Sequence, residues 1–267
     1  MHYFKASEAL KQIESRSELV DLWDKTRQSL TNCIIQPCSL KEYAALTGIQ
    51  WDRPDYVGSV IDPTETGNPV EYVITLIIGP KALLTDIAHE IAHLYLHGIL
   101  GFPMPWLAPE NWKSPEMLSL FELASHMHVI LIHPIIDRLL KDINIFNPVI
   151  YSRIATDYRQ ELLKYSKNPL SVGKDYFVVR TIATRQRLPQ SYWQETIAGY
   201  EGRNSFIRLQ ERIKALPSIP AELNPNSVYE YVTAMWQAFG ITKSREISLY
   251  YNSPLIIKTN YTFNEEH

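Results

Sequence analysis

The chain has 267 residues, 45% apolar and 21% charged, and a net charge of −3. It is long enough for one large or two modest domains with a sizeable core. That balance gives no bulk electrostatic case for nucleic acid or for an anionic membrane. Its two cysteines, Cys33 and Cys38, form no C-x-x-C pair and lack a second pair to complete a structural zinc site. Five residues apart, they could close only a small disulfide. The first residues lack the basic start and apolar run of a signal peptide, and polar residues interrupt the apolar stretches short of the ~20 residues of a membrane span. The expectation is a cytoplasmic chain with no membrane segment. Sixteen tyrosines and six tryptophans point first to a heavily packed interior.

Leu10, Ile13, Leu19, Leu22 and Trp23 recur at helical spacing, so residues 7–30 are expected to form one amphipathic helix. Residues 39–48 form a second, shorter helix, with Ser39 as N-cap and Gly48 ending it. This piece is like the first half of a helix-turn-helix. However, Trp51-Asp52-Arg53-Pro54-Asp55 starts no recognition helix, and no nucleic-acid partner is expected. Residues 57–61 and 71–78 alternate or run apolar as strands. The turn-rich Asp62-Pro63-Thr64-Glu65-Thr66-Gly67-Asn68-Pro69 between them predicts a hairpin with a long tip.

Gly79-Pro80 then opens the segment that carries the chemistry. Leu83, Leu84, Ile87, Ile91, Leu94 and Leu96 set a helix-period stripe, and Gly98 is placed as a left-handed C-cap. Within it, Ala88-His89-Glu90-Ile91-Ala92-His93 holds an H-E-x-x-H pattern. Residues i and i+4 stand one above the other on a helix, so His89 and His93 can offer imidazoles to one point beside it. Glu90, about 100° further round, can reach a water on that metal without joining the ligands. His97 and His89 are two turns, about 12 Å, apart, too far to share an ion. The metzincin pattern would need a histidine where Ile99 stands.

Residues 99–113 carry Pro103, Pro105 and Pro109 and are expected to form a rim loop. Its Phe102, Met104, Trp106 and Trp112 either cap the core or wall an apolar subsite. Ser114 and Pro115 then start a helix over 115–132 that continues past Pro134 to about 140. A catalytic zinc takes three protein ligands and leaves a fourth position open. Glu122 and His126 share a face of this helix, and Val129 and His133 continue the stripe. Glu122 is the expected third ligand, with His126 beside the metal-bound water. The alternative gives coordination to His126 and leaves Glu122 to orient it.

Residues 87–98 resemble the A-H-E-[LI]-x-H-x-x-L-H-G signature of the ImmA/IrrE metallopeptidase family. Ala124 to Pro134 resembles, more loosely, that family's E-A-x-x-F-A-x-x-L-L-x-P segment. Aligned without gaps from the proline, the family's glutamate falls on Leu123, one residue beyond Glu122. The resemblance implies a zincin-like fold, zinc, and proteolysis of a cytoplasmic protein, often a repressor. In zincins an exposed sheet edge beside the metal helix aligns the substrate as an added strand.

The rest of the chain is expected to be helical over 148–167, 176–187, 205–216 and 227–239, with terminal strands at 247–251 and 255–258. No phosphate loop or nucleophile motif occurs there. The expected whole is an α+β protein. Residues 1–146 form a zincin-like region with a small antiparallel sheet packed on the H-E-x-x-H helix, and 147–267 form a mostly helical extension. The expected activity is zinc peptidase: zinc on His89, His93 and Glu122 lowers the pKa of its water, and Glu90 and His126 assist the attack. The alternative is a non-catalytic protein-binding regulator with a structural or vestigial metal site.

Overall fold

The computed structural model describes residue 11 and residues 13–29, 33–48, 54–63, 72–107, 114–167, 174–241 and 247–250. The start of the expected first helix, the hairpin tip, Trp112 and the strand at 255–258 lie outside the described residues. The fold is mixed α+β, mostly helical, with a small three-stranded sheet. It divides into two compact units. The first holds the described residues up to Gly101 together with Ile136–Phe146. The second holds Phe102–Ile135 and the described residues from Asn147 to Tyr251.

In the first unit, strand β3 (Tyr72–Ile78) lies between β1 (Cys33–Ser39) and β2 (Val57–Pro63). β2 and β3 form the expected antiparallel hairpin, with Val57 opposite Ile78 and Pro63 opposite Tyr72. β1 runs parallel to β3, so the sheet is mixed and not the antiparallel sheet the sequence suggests. Pro37 hides β1 in the sequence. Proline donates nothing to a ladder and is tolerated because β1 is an edge strand. Ile74, Leu76, Ile77 and Ile78 of the central strand are fully buried, as a strand covered on both faces requires. Gln36 and Thr75, opposite each other across β1 and β3, satisfy their buried polar groups mutually, Nε2 donating to Oγ1 at 3.1 Å.

The two cysteines do not pair. Both lie on β1, where five residues of extended chain span about 16 Å, far beyond disulfide reach. Cys38 is a free, buried thiol, pushed up to about 12 by burial and by Glu42.

Helix α1 (Ser17–Ser29) is shorter than the helix expected over 7–30, because residues 15 and 16 interrupt it. α2 (Leu40–Thr47) follows β1 through the expected cap. Ser39 Oγ accepts from Glu42 N–H, Glu42 Oε2 accepts from Ser39 N–H, and Gly48 closes the helix at φ 74°.

The H-E-x-x-H segment is helix α3 (Leu84–Gly98). It buries Ile87, Ile91, Leu94 and Leu96, each contributing roughly 1.5–3 kcal/mol, and α1 packs on it through the same unit. Its polar residues are therefore carried on a firmly anchored helix. Gly79-Pro80 forms a turn ahead of α3 and not its first helical turn. Gly79 N–H donates to Tyr56 O and Lys81 N–H to Pro54 O, both at 2.8 Å, tying the end of β3 to the residues before β2. A Cβ on Gly79 would stand 2.3 Å from the Pro54 carbonyl oxygen. Gly79→Ala is therefore expected to lower stability by about 1–3 kcal/mol in urea unfolding, since backbone has to move to relieve the overlap. Gly98 is buried inside the helix, and Gly101, at φ 70°, takes the left-handed role expected of it.

Helix α4 (Pro115–Asp142) runs unbroken through Pro134, and Ser114 Oγ caps it by accepting from Met117 N–H at 3.3 Å. Among the described residues it is long and apolar enough to cross a bilayer by length and composition, which the interruptions Glu122, His126 and His128 disguise in the sequence. Its Met127, Ile130, Leu131, Ile132, Ile136 and Leu140 are buried protein core.

The second unit adds α5 (Val149–Lys167), α6 (Lys174–Arg187), α7 (Gln190–Ile197), α8 (Asn204–Lys214) and α9 (Pro225–Ala238). α7 is a short helix the sequence reading leaves out. Tyr158 and Thr181 bond through their hydroxyls at 2.8 Å. Thr181 also donates to Phe177 O, so Tyr158 is the donor. Tyr158 stacks on Phe177, and Trp193 closes the aromatic group. The expected rim loop contains a strand, β4 (Met104–Leu107), paired antiparallel with β5 (Ile247–Tyr250). Two-stranded pairing leaves Pro105 at an edge. Phe102 is buried and caps the core.

Candidate metal centre

α3 carries His89 and His93 on one face, their rings edge-to-face with centroids 4.9 Å apart. This is the i, i+4 juxtaposition its spacing demands. His97 stacks on His93 at 5.8 Å and is buried, one turn further from His89. The third residue to join the pair is His133 of α4. Ligand atoms of His89, His93 and His133 all lie within 4.8 Å of one another, and all three residues are half-buried. The cluster can hold a metal ion. Comparison of the chain with known protein families, curated proteins and solved structures finds no match. The centre therefore stands on its own residues.

A tetrahedral ion with Zn–N bonds of about 2.0–2.1 Å needs its nitrogens roughly 3.3 Å apart. The observed spread, within 4.8 Å, exceeds this by at most about 1.5 Å, an amount that imidazole rotation about two side-chain bonds can close. Three neutral imidazoles are also a donor set that suits zinc, copper, iron or nickel and not calcium or magnesium.

The structure does not bring Glu122 into this group. It is exposed, eleven residues before His133 on the same helix, so about 16 Å of axial rise separates the two. One ion cannot take both. His126 is two turns from His133, about 10 Å along the axis. Its ring meets Tyr176 of α6 edge-on at 4.7 Å, and burial, then the charge of Arg180, holds its imidazole below the usual range. The stripe Glu122–His126–Val129–His133 is real, but its C-terminal end, not its middle, meets His89 and His93. A histidine already on that stripe was the available signal for His133.

Glu90 lies where the sequence places it, next to His89 and outside the ligand group. Its Oε2 accepts from the Ser59 hydroxyl of β2 at 3.4 Å. Desolvation pushes its carboxyl up to about 7, with Asp86 adding to the rise and the Ser59 hydrogen bond opposing it. The motif carboxylate is thus enclosed, held from the sheet, and able to change protonation near neutral pH.

Proposed function

We propose that the chain is a zinc-dependent endopeptidase of ImmA/IrrE type, acting on a cytoplasmic, regulatory protein. The supporting observation is the convergence of His133 on the two motif histidines while Glu90 stays outside the ligand group. His89, His93 and His133 would hold the ion and leave a fourth position open, as catalytic zinc sites do. When bound, the ion supplies a Lewis acid and lowers the pKa of a water in the open position to ~7.

The chain's own residues do the rest. Glu90 takes a proton from the attacking water and returns it to the leaving amine, and a near-neutral carboxyl suits both transfers. Beside a bound dication Glu90 would be held ionised and so would be ready to act as the base. Ser59 fixes Oε2 and so the orientation of the carboxyl.

Ser59 also ties this group to β2, whose outer edge pairs with no strand among the described residues. An extended peptide can add there through main-chain hydrogen bonds. The zinc-loaded chain is expected to cleave an unfolded protein, to stop when a chelator is added, and to resume when zinc is restored. Full zinc occupancy with no cleavage of any unfolded substrate would overturn the peptidase reading in favour of metal-dependent protein binding.

A further inference from the structure

His133 does more than face His89 and His93: Arg187, the last residue of α6, stands 3.3 Å from its Nδ1 through an Nη1 nitrogen. A guanidinium can only donate, so Nδ1 is the acceptor, and a neutral imidazole that accepts at Nδ1 carries its proton on Nε2. While this contact holds, neither ring nitrogen of His133 offers a lone pair to a metal.

The contact is part of a repeating arrangement. His126 and His133 are seven residues apart on α4, and Arg180 and Arg187 are seven apart on α6. His126 meets Tyr176 and feels the charge of Arg180 one heptad before His133 meets Arg187. The two contacts thus keep the same seven-residue register on both helices.

We propose that Arg187 sets the metal affinity of the centre by competing with the ion for His133, an inference that rests on the metal centre above. Loading breaks the Arg187–His133 hydrogen bond and forms a nitrogen–metal bond. If Nδ1 binds the ion, its lone pair passes from guanidinium to metal. If Nε2 binds it, the ring proton moves to Nδ1. In neither case does the centre gain or lose a proton. Arg187 is a positioning residue and touches no substrate.

The test is a cobalt(II) titration of the full chain, followed by visible absorption, in the wild type, Arg187→Met, His133→Ala and the double variant. Arg187→Met is expected to bind cobalt about tenfold more tightly, the scale of one charge-assisted hydrogen bond. In the His133→Ala background the same change is expected to move the affinity by less than about twofold, because the partner it acts through is gone. His133→Gln replaces His133→Ala if the latter lowers the melting temperature. Unchanged or weaker binding by Arg187→Met overturns the proposal, and so does tightening that persists without His133, which would mark a bulk charge effect. A wild-type chain that takes up no cobalt overturns the metal centre itself. Wild-type uptake with no gain in Arg187→Met overturns only the competition.

Discussion

Zinc offered to the purified chain is expected to bind at one equivalent, and His89→Ala, His93→Ala or His133→Ala each to weaken that binding by about 100-fold or more. The scale follows from structural zinc sites, where about 10–16 kcal/mol shared over four ligands leaves roughly 2.5–4 kcal/mol per ligand. Glu122→Ala and His126→Ala are expected to leave affinity nearly unchanged, since Glu122 is exposed some 16 Å along the helix from His133 and His126 packs on Tyr176. Chelator competition measures the affinities. A thermal melt supplies a second reading, because saturation at a thousand times Kd adds about 4 kcal/mol to the folded state. Zinc at that concentration should raise the melting temperature of the wild type and of Glu122→Ala, and that of His89→Ala by less than half as much. Loss of binding in Glu122→Ala with retention in His133→Ala would reinstate the glutamate as third ligand and overturn the three-histidine centre.

That contrast marks where the sequence stops being informative. His89, Glu90 and His93 are legible because four residues on a helix is a local distance, fixed by 3.6 residues per turn whatever surrounds it. The cap of α2 is legible for the same reason: Ser39 and Glu42 need only each other. Which residue joins His89 and His93 depends on tertiary structure. Glu122, His126 and His133 lie on one stripe of α4, and helical period identifies the stripe without saying which of its residues groups with His89 and His93. Glu122, a carboxylate with a familiar role, stands at the other end of that stripe from His133. His133 sits beside Pro134, and the helix continues past that proline to Asp142, as expected.

The sheet shows a similar limit. β2 and β3 carry their own turn signal and pairing, and both are readable. β1 pairs parallel with β3 from some forty residues away, and Pro37 argues locally against a strand. Only its position at the edge, which no local pattern states, makes the proline harmless. Glycine so often ends a helix that Gly98 reads as the cap of α3, whereas Gly101 adopts the left-handed conformation three residues later.

Glu90→Gln separates chemistry from binding more sharply than any other substitution. Glutamine keeps the size of the side chain and an oxygen to accept from Ser59, so the local packing and the tie to β2 survive. Zinc affinity should hold within a few-fold, because Glu90 is not among the ligands. Peptide cleavage is expected to fall by about 10²–10⁴-fold, the usual worth of a positioned general acid–base group. Stability should move the other way. The folded-state pKa of Glu90, about 7, lies above its ordinary value of 4.5. Its contribution to the metal-free fold is therefore fully present below pH 4.5 and is lost as pH rises through 7. Glutamine carries no charge to bury, so metal-free Glu90→Gln should match or exceed the wild type in urea unfolding at pH 8, with the advantage fading toward pH 4.5. A group that weakens the metal-free fold near neutral pH while supporting turnover is held there for its chemistry. Full cleavage by a zinc-loaded Glu90→Gln chain would remove Glu90 from the reaction.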